Sequence, residues 1–351
     1  MSDVNRRQWM QRALAGVVPA LLTSRAGAAA EVDPAAAARA QAAAGGRTYR
    51  YVHLDVFTDK GLTGNQLAVF PDPAGLDADT MQAMTRETNF SESTFVFPPE
   101  QPGTAFRVRI FTRNAETGFA GHPTIGTAFA LAHTGRLKPG TAHTTFGLGV
   151  GPTEIDLDWR GNQLAFAWMS QLKPTFGKTI EDAEGLAAAI GLDPSAVRGQ
   201  RAPAQEIGCG STFFIVPLAT RRAVDAAVLD RAKVDAVFAA AGAPRRGLYV
   251  FTTERGDDNA TSYSRTLPAG GIEDPATGSA AGPLGCFLVK HGYVAREQAA
   301  TIINVQGVLV RRPSRIHINI GLTGADITSV KVGGASVVVG EGTMILNASG
   351  D

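Results

Sequence analysis

One stretch of this chain occurs twice. His122-Pro123-Thr124-Ile125-Gly126-Thr127-Ala128 returns as Asp274-Pro275-Ala276-Thr277-Gly278-Ser279-Ala280. Each copy runs into an apolar helical segment, Phe129 to His133 and Leu284 to His291, that stops at a glycine, Gly135 or Gly292. Such a repeat points to two like units, each carrying one helix of this type. Glycine just past a helix end is a common C-terminal stop. Small residues in the opening turn let two helices approach closely. The first N–H groups of a helix have no internal partner and sit at the positive end of its dipole, where they favour an anion. Two like units with facing helix starts place a cleft at their interface. Tight packing accounts for either copy taken alone. A titratable side chain at the head of each, His122 and Asp274, points to a site.

The rest of the chain reads as short strands punctuated by turns, which 40 glycines and 19 prolines supply. Strands are predicted over 51–57 and 67–70, flanking the turn 60–65, then over 94–97 and 106–112. A hairpin is predicted with arms 155–159 and 164–168. Further strands fall at 213–217, 248–252, 316–320 and 337–339. Helices are predicted over 77–88, with Asp77 as N-cap, over 180–190 and over 223–241, and 174–178 reads as a linker. Strands mixed with isolated helices give an α+β class rather than regular βαβ winding.

The length, 351 residues, suits about two domains. A net charge of +1 with no basic tract argues against nucleic acid as a partner. The two cysteines, Cys209 and Cys286, form no C-x-x-C pair, so neither a disulfide framework nor a cysteine zinc site is expected, and no metal is called for. No phosphate-binding glycine loop is present: Gly208-Cys209-Gly210 lacks the third glycine. No cofactor is expected.

Residues 1–30 read as an export signal. Arg6-Arg7 precede an apolar run from Ala13 to Thr23 and a small-residue stretch, Ala26 to Ala30. The run is shorter than the roughly 20 residues that span a bilayer, and the paired arginines fit the twin-arginine class. The expected location is periplasmic or secreted, with no membrane anchor after cleavage. Residues 31–48, mostly alanine, read as a flexible tether.

Thr58 to Phe70, with its Gly64-Asn65 and Ala68-Val69, Asn89-Phe90-Ser91-Glu92-Ser93-Thr94-Phe95-Val96, Phe119-Ala120-Gly121-His122-Pro123-Thr124, Glu273 to Ala280, and Gln306-Gly307 with Arg312-Pro313-Ser314 stand in one order along the chain. Together they resemble the blocks of the phenazine-biosynthesis isomerase (PhzF-like) family. The resemblance implies a diaminopimelate-epimerase-like fold: two pseudo-symmetric domains, each a rolled β-sheet around a central helix. It divides the chain at 49–172 and 173–336, with a last strand near 337–347 returning to the first domain. It also implies a homodimer.

The chemistry implied is cofactor-free proton transfer on a small carboxylate-bearing substrate. By resemblance Glu92 is the general acid/base, with His122 and Asp274 as partners. Asn65, Ser91, Ser93, Gly121, Gly126, Thr127, Thr277, Gly278 and Ser279 are the expected substrate contacts. Glu92 needs a raised pKa, and Phe90, Phe95 and Phe97 are the apolar neighbours expected to supply it. Related racemases use two thiols, but Ala120 precedes Gly121 and no cysteine lies in 274–280, which disfavours a thiol mechanism. An exported binding protein with a degenerate cleft is the alternative from another class. Where many relatives carry a proline and an acidic-Leu-Pro approach to the first helix, this chain has Arg113-Asn114-Ala115-Glu116-Thr117-Gly118. A substrate other than the phenazine precursor is therefore expected.

Overall fold

The apolar runs do become strands, and the strands join edge to edge in one repeated order. The computed structural model describes residues 46–197, 199–268 and 272–346; the expected signal segment, and the tether up to residue 45, lie outside them. Arg47–Leu346 forms one compact unit, and among the described residues no helix is long and apolar enough to cross a membrane.

The first half starts with β1 (Arg47–Val56), which is antiparallel to β2 (Asn65–Phe70). Next, β2 runs parallel to β3 (Glu92–Phe97), and β3 antiparallel to β4 (Phe106–Thr112). The small strand β5 (Glu116–Thr117) folds back on β4, which pairs in parallel with β6 (His143–Leu148). Antiparallel steps lead to β7 (Gly151–Arg160) and β8 (Gln163–Gln171), the expected hairpin. Its turn residue Gly161 sits at φ 60°, a left-handed conformation that glycine adopts without strain.

The second half repeats the sequence of pairings. After β9 (Thr175–Ile180) come β10 (Ala204–Gly208), β11 (Thr212–Pro217), β12 (Gly247–Thr252), β13 (Ser262–Leu267), β14 (Ile302–Gln306), β15 (Ser314–Thr323) and β16 (Asp326–Gly334). From β10 onward the steps are antiparallel, parallel, antiparallel, parallel, antiparallel, antiparallel, as they are from β1 to β8. The last strand, β17 (Ser336–Leu346), lies antiparallel to β1, the place that β9 takes beside β10. A β8–β16 pairing joins the halves into one sheet.

Each parallel pair needs a crossover, and helices supply it. α1 (Ala78–Thr88) links β2 to β3, with Asp77 capping it as expected: its carboxylate accepts from the Thr80 N–H. α2 (Gly121–His133) lies between β5 and β6. In the second half α3 (Ala183–Ala189) follows β9. α4 (Arg221–Ala226) and α5 (Arg231–Ala240) link β11 to β12, and α6 (Gly278–Lys290) links β13 to β14. α2 and α6 are buried along nearly their whole length, as helices apolar on all sides must be. They share one core with the inner faces of both half-sheets. The outer face of the first half packs on α1, and that of the second on α3, α4 and α5. Gly135 and Gly292, at φ 72° and 68°, stop the central helices as expected.

Several expectations need correction. The segment 174–178, read as a linker, is mostly β9, because Thr175 and Phe176 pair with Gly208 and Ile207. The helix expected over 180–190 is shortened at both ends, Ile180 being a strand residue. The single helix expected over 223–241 is two, since Ala227 is extended and the Asp230 carboxylate starts a new helix by accepting from Ala232 and Lys233 N–H. Arg47 and Thr48, assigned to the tether, are in β1. The central helices also start earlier than their apolar runs. The sequence echo would pair Gly121 with Glu273, whereas the fold pairs Gly121 with Gly278, the first residue of each helix.

Candidate active site

Gly121 and Gly278 are where the central helices of the two halves touch. A Cβ on Gly121 would lie 2.5 Å from both the Cα and the carbonyl carbon of Gly278, so only hydrogen fits. This contact brings the two helix starts together, and neither has a side-chain cap bond. Around it stand the first residues of β2 and β3, Asn65 and Glu92, and the segment that leads into α6.

Asn65 is the hub, and it is 1% exposed. Its Nδ2 donates to Asp274 Oδ1 at 2.6 Å and to the Ala276 carbonyl at 3.0 Å, and it lies 3.0 Å from His122 Nδ1. An amide nitrogen has two hydrogens, and the Asp274 carboxylate and the Ala276 carbonyl take both, which holds the side chain in one orientation. Ser91 Oγ donates to Asp274 Oδ1 at 3.2 Å and to Asn65 Oδ1 at 3.3 Å. Thr277 Oγ1 donates to Asp274 Oδ2 at 2.7 Å. Asp274 therefore sits upstream of α6 and accepts side-chain bonds from both halves. It is not the N-cap of that helix, a position held by Thr277.

Glu92 and His122 face the same point from the first half. Glu92 Oε2 lies 3.3 Å from His122 Nε2, the two side chains being 18% and 4% exposed. Both atoms are buried without a hydrogen-bond partner in acceptable geometry. Buried polar atoms are nearly always satisfied, so a facing pair of exceptions marks a place where something else belongs. Glu92, His122 and Asp274 present oxygen and nitrogen atoms all within 4.8 Å of one another, close enough to share a proton or to hold a cation.

Burial, reinforced by the nearby Asp274 charge, lifts the Glu92 carboxyl well above the usual carboxylate range, and the Arg113 charge works against this. Asp274 is raised by burial too, but its bonds from Thr277, Asn65 and Ser91 and the Arg113 charge favour the ionised form. Burial drives His122 down to about 3, against a hydrogen bond to the Gln66 backbone. The site at neutral pH is thus an uncharged imidazole beside two carboxyl groups that compete for a proton.

The structure gathers most of the sequence-predicted residues, though not all. Glu92, His122, Asp274, Asn65, Ser91, Gly121, Thr277 and Gly278 meet here, and Ser279 follows in the first turn of α6. Ser93 does not: alternation along β3 turns it to the opposite face, where its hydroxyl is 3.2 Å from Thr88 Oγ1. Thr127 is fully buried and bonds the Pro123 carbonyl and Thr94. Gly126 makes room for Leu67 and Val56. Phe95 and Phe97 alternate away from Glu92 with Ser93, and Phe95 stacks on Phe70 in the outer core. Phe90 stacks on His53. The Glu92 environment comes instead from the inner face, against α2 and Asp274.

Gln306, which sequence reasoning placed only in a block of resemblance, proves to be a supporting residue. Its Nε2 donates to the Asp274 carbonyl at 2.8 Å and to Thr277 Oγ1 at 3.0 Å. Its Oε1 accepts from Thr277 N–H at 2.9 Å and from Tyr249 OH at 2.8 Å. Behind Tyr249 lie Ser264, Asn304 and Ser262, all buried and hydrogen-bonded in series. Glu273 is held by a buried pair with Arg265 at 2.7 Å. From the second half, Arg312 donates to the Gly64 carbonyl at 2.7 Å and so fixes the turn before Asn65. Cys209 and Cys286 are both fully buried in the second half, with Sγ atoms 3.9 Å apart. Neither stands at a helix start, so the arrangement of one thiol from each half is not what this site contains.

The sequence pattern of the family described as phenazine biosynthesis-like protein matches residues 54–342. A trans-2,3-dihydro-3-hydroxyanthranilate isomerase of Pseudomonas aeruginosa is 36% identical over 304 residues, covering 85% of this chain and all of the relative. The crystal structure of a phenazine biosynthesis protein of the PhzF family from Bacillus anthracis superposes with TM-score 0.73 at 25% identity, covering 85% of this chain and 99% of the other. A hydroxyproline epimerase from Agrobacterium vitis shares the fold at 13% identity, with TM-score 0.60 over 86% of this chain and 94% of its own. The expected α+β fold, two like halves each rolled round a central helix, is borne out by these likenesses.

Proposed function

The chain belongs to the phenazine biosynthesis-like family, which includes named isomerases, and from that premise we propose that it moves a proton between carbons of a small unsaturated carboxylic acid with Glu92 as the shuttle. The observation that carries this reading is the facing pair of buried, unpartnered atoms, Glu92 Oε2 and His122 Nε2, beside Asp274. Asp274 accepts bonds that favour its anion and Glu92 accepts none, so the proton of the pair rests on Glu92. Glu92 delivers it to one unsaturated carbon; the carboxylate so formed removes a proton from another carbon and becomes an acid again. One C–H bond forms, one breaks, and no electrons leave the substrate. Asp274, the more readily ionised of the two, stabilises the positive charge that develops between the two steps. His122, kept neutral, neither repels that charge nor takes the proton for itself.

The substrate carboxylate would lie at the two helix starts. Thr277 N–H is already taken by Gln306, and Pro123 has no N–H. That leaves the first-turn donors of Gly121, His122, Gly278 and Ser279 to receive it. The division at 49–172 and 173–336 then corresponds to two halves that each supply part of the site. Because the shuttle needs only a carboxyl group, no cofactor enters the reaction.

The relatives' names make trans-2,3-dihydro-3-hydroxyanthranilate the first acid to assay. Glu92→Gln keeps the shape of the side chain and removes its acidity. Turnover should fall by about a thousandfold or more, within the usual range for loss of a general acid/base, while calorimetry shows the acid still bound. Full turnover in this variant would overturn the assignment.

A further inference from the structure

Several arginines of this protein meet a carboxylate in the fold. Arg109 grips Glu116 through two bonds of 2.8 and 2.6 Å. Arg221 takes Asp258, Arg265 takes Glu273 and Arg312 takes Asp55. Arg113 stands in the same region as Arg109 but has no ion pair among the described residues. Its one side-chain bond is from Nη1 to the Asn89 carbonyl, at 3.4 Å. Glu116, three residues on, is the nearest acid in sequence, and Arg109 already occupies it.

The backbone sets where Arg113 stands. Thr112 is the cross-strand partner of Glu92, so Arg113 is the first residue past the shuttle's own neighbour. The turn that follows is tied down: Thr112 Oγ1 donates to the Ala115 carbonyl at 2.9 Å and accepts from the N–H groups of Asn114 and Ala115. The Asn89 carbonyl that holds the guanidinium lies three residues before Glu92. Arg113 is half-buried at this spot, and its charge reaches both Glu92 and Asp274. A guanidinium has five N–H donors in a fork that matches a carboxylate, and here nearly all of them are uncommitted.

Resting on the isomerase reading, we infer that the substrate carries a second anionic group, a carboxylate or its equivalent, and that Arg113 receives it and so sets specificity. The first anionic group takes the helix starts, at the N–H donors of Gly121, His122, Gly278 and Ser279. The second lies across Glu92 from it, against the free guanidinium. A substrate with a single acidic group would leave most of the Arg113 donors without an acceptor at the site's edge. This is also the segment, 113–118, where the chain departs from the pattern it otherwise resembles, in keeping with a substrate of its own.

The test is a binding titration with two ring acids that differ by one carboxylate, benzoate and isophthalate, on the full chain and on Arg113→Gln and Arg113→Lys. Wild type should bind isophthalate about tenfold more tightly than benzoate, the worth of one charge-assisted contact, with the two acids competing for one site. Arg113→Gln should lose that advantage and keep its benzoate affinity, and Arg113→Lys should recover part of it. Equal loss of both acids in Arg113→Gln, no preference in wild type, or no isophthalate binding at all would overturn the inference. Because binding is read without turnover, a failed shuttle assignment would leave this discrimination intact, so the two failures can be told apart.

Discussion

The contact between Gly121 and Gly278, where the two helix starts meet, cannot accept a methyl group. Gly121→Ala would put Cβ 2.5 Å from the Gly278 Cα and carbonyl carbon and 2.7 Å from Ser279 N, all backbone atoms that no rotamer change can move. Ordinary contact requires the helices to part by about 1 Å. Overpacking of this kind costs about 1–3 kcal/mol, and the better helix propensity of alanine returns about 1 kcal/mol. The net destabilisation is therefore about 0–2 kcal/mol, a drop of no more than a few degrees in Tm. Catalysis should suffer far more. Asp274 and the α6 start belong to one side of the contact, while Glu92, His122 and Asn65 belong to the other. A displacement near 1 Å of one set against the other is expected to lower kcat/KM by about a hundredfold. Thermal melting and steady-state rates on the same preparation give both quantities. Wild-type rates together with a wild-type Tm would refute the reasoning, because the contact would then not be as tight as described.

Other consequences are read in stability. Burial raises the Glu92 carboxyl, so the folded protein keeps a proton that the unfolded chain releases. Above the unfolded pKa, near 4.3, each step up in pH then costs stability until the folded pKa is passed. Glu92→Gln escapes that cost, so its Tm should exceed the wild type's at pH 7 and converge with it near pH 4; a variant that is less stable at pH 7 would contradict the raised pKa. His122 works in the opposite direction. Its folded value of about 3 lies below the unfolded one near 6.5, so stability is present above pH 6.5 and is lost as pH falls toward 3. His122→Gln should flatten the acid side of a melting-temperature profile, and an unchanged acid limb would speak against a buried neutral imidazole. Gln306→Leu strands the Asp274 carbonyl, Thr277 N–H and Tyr249 OH together and should cost about 2–4 kcal/mol in denaturant unfolding. A loss under about 0.5 kcal/mol would mean that this network does not hold the loop.

The sequence displays the two central helices and their stops because small residues, apolar runs and terminal glycines are local signals. Helix boundaries were less legible. Gly121 and Gly278 begin helices for a tertiary reason, the close contact between them, and the echo in the sequence is out of step with that contact. β9 carries no local strand signal, since a short edge segment with Pro174 and Gly177 gains its strand character from pairing with β10. At the site, Glu92 and Asp274 are visible through their motifs, but the hub role of Asn65 depends on partners that come from distant parts of the chain. Ser93, Gly126 and Thr127 looked equivalent to their neighbours in sequence, and only strand alternation and helix packing turn them away. The source of the Glu92 shift was likewise hidden. Nearby phenylalanines suggested an apolar pocket, while the structure supplies burial against α2 and the charge of Asp274.

Glu92 as the proton carrier is tested most directly by running the isomerisation of trans-2,3-dihydro-3-hydroxyanthranilate, or another unsaturated acid that is turned over, in deuterium oxide and locating the label by NMR. Wild type should place one solvent deuterium on the carbon that gains a hydrogen, since the Glu92 acid equilibrates with solvent between turnovers, and Glu92→Gln should place none while still binding the acid. Equal labelling by the two proteins would contradict the account.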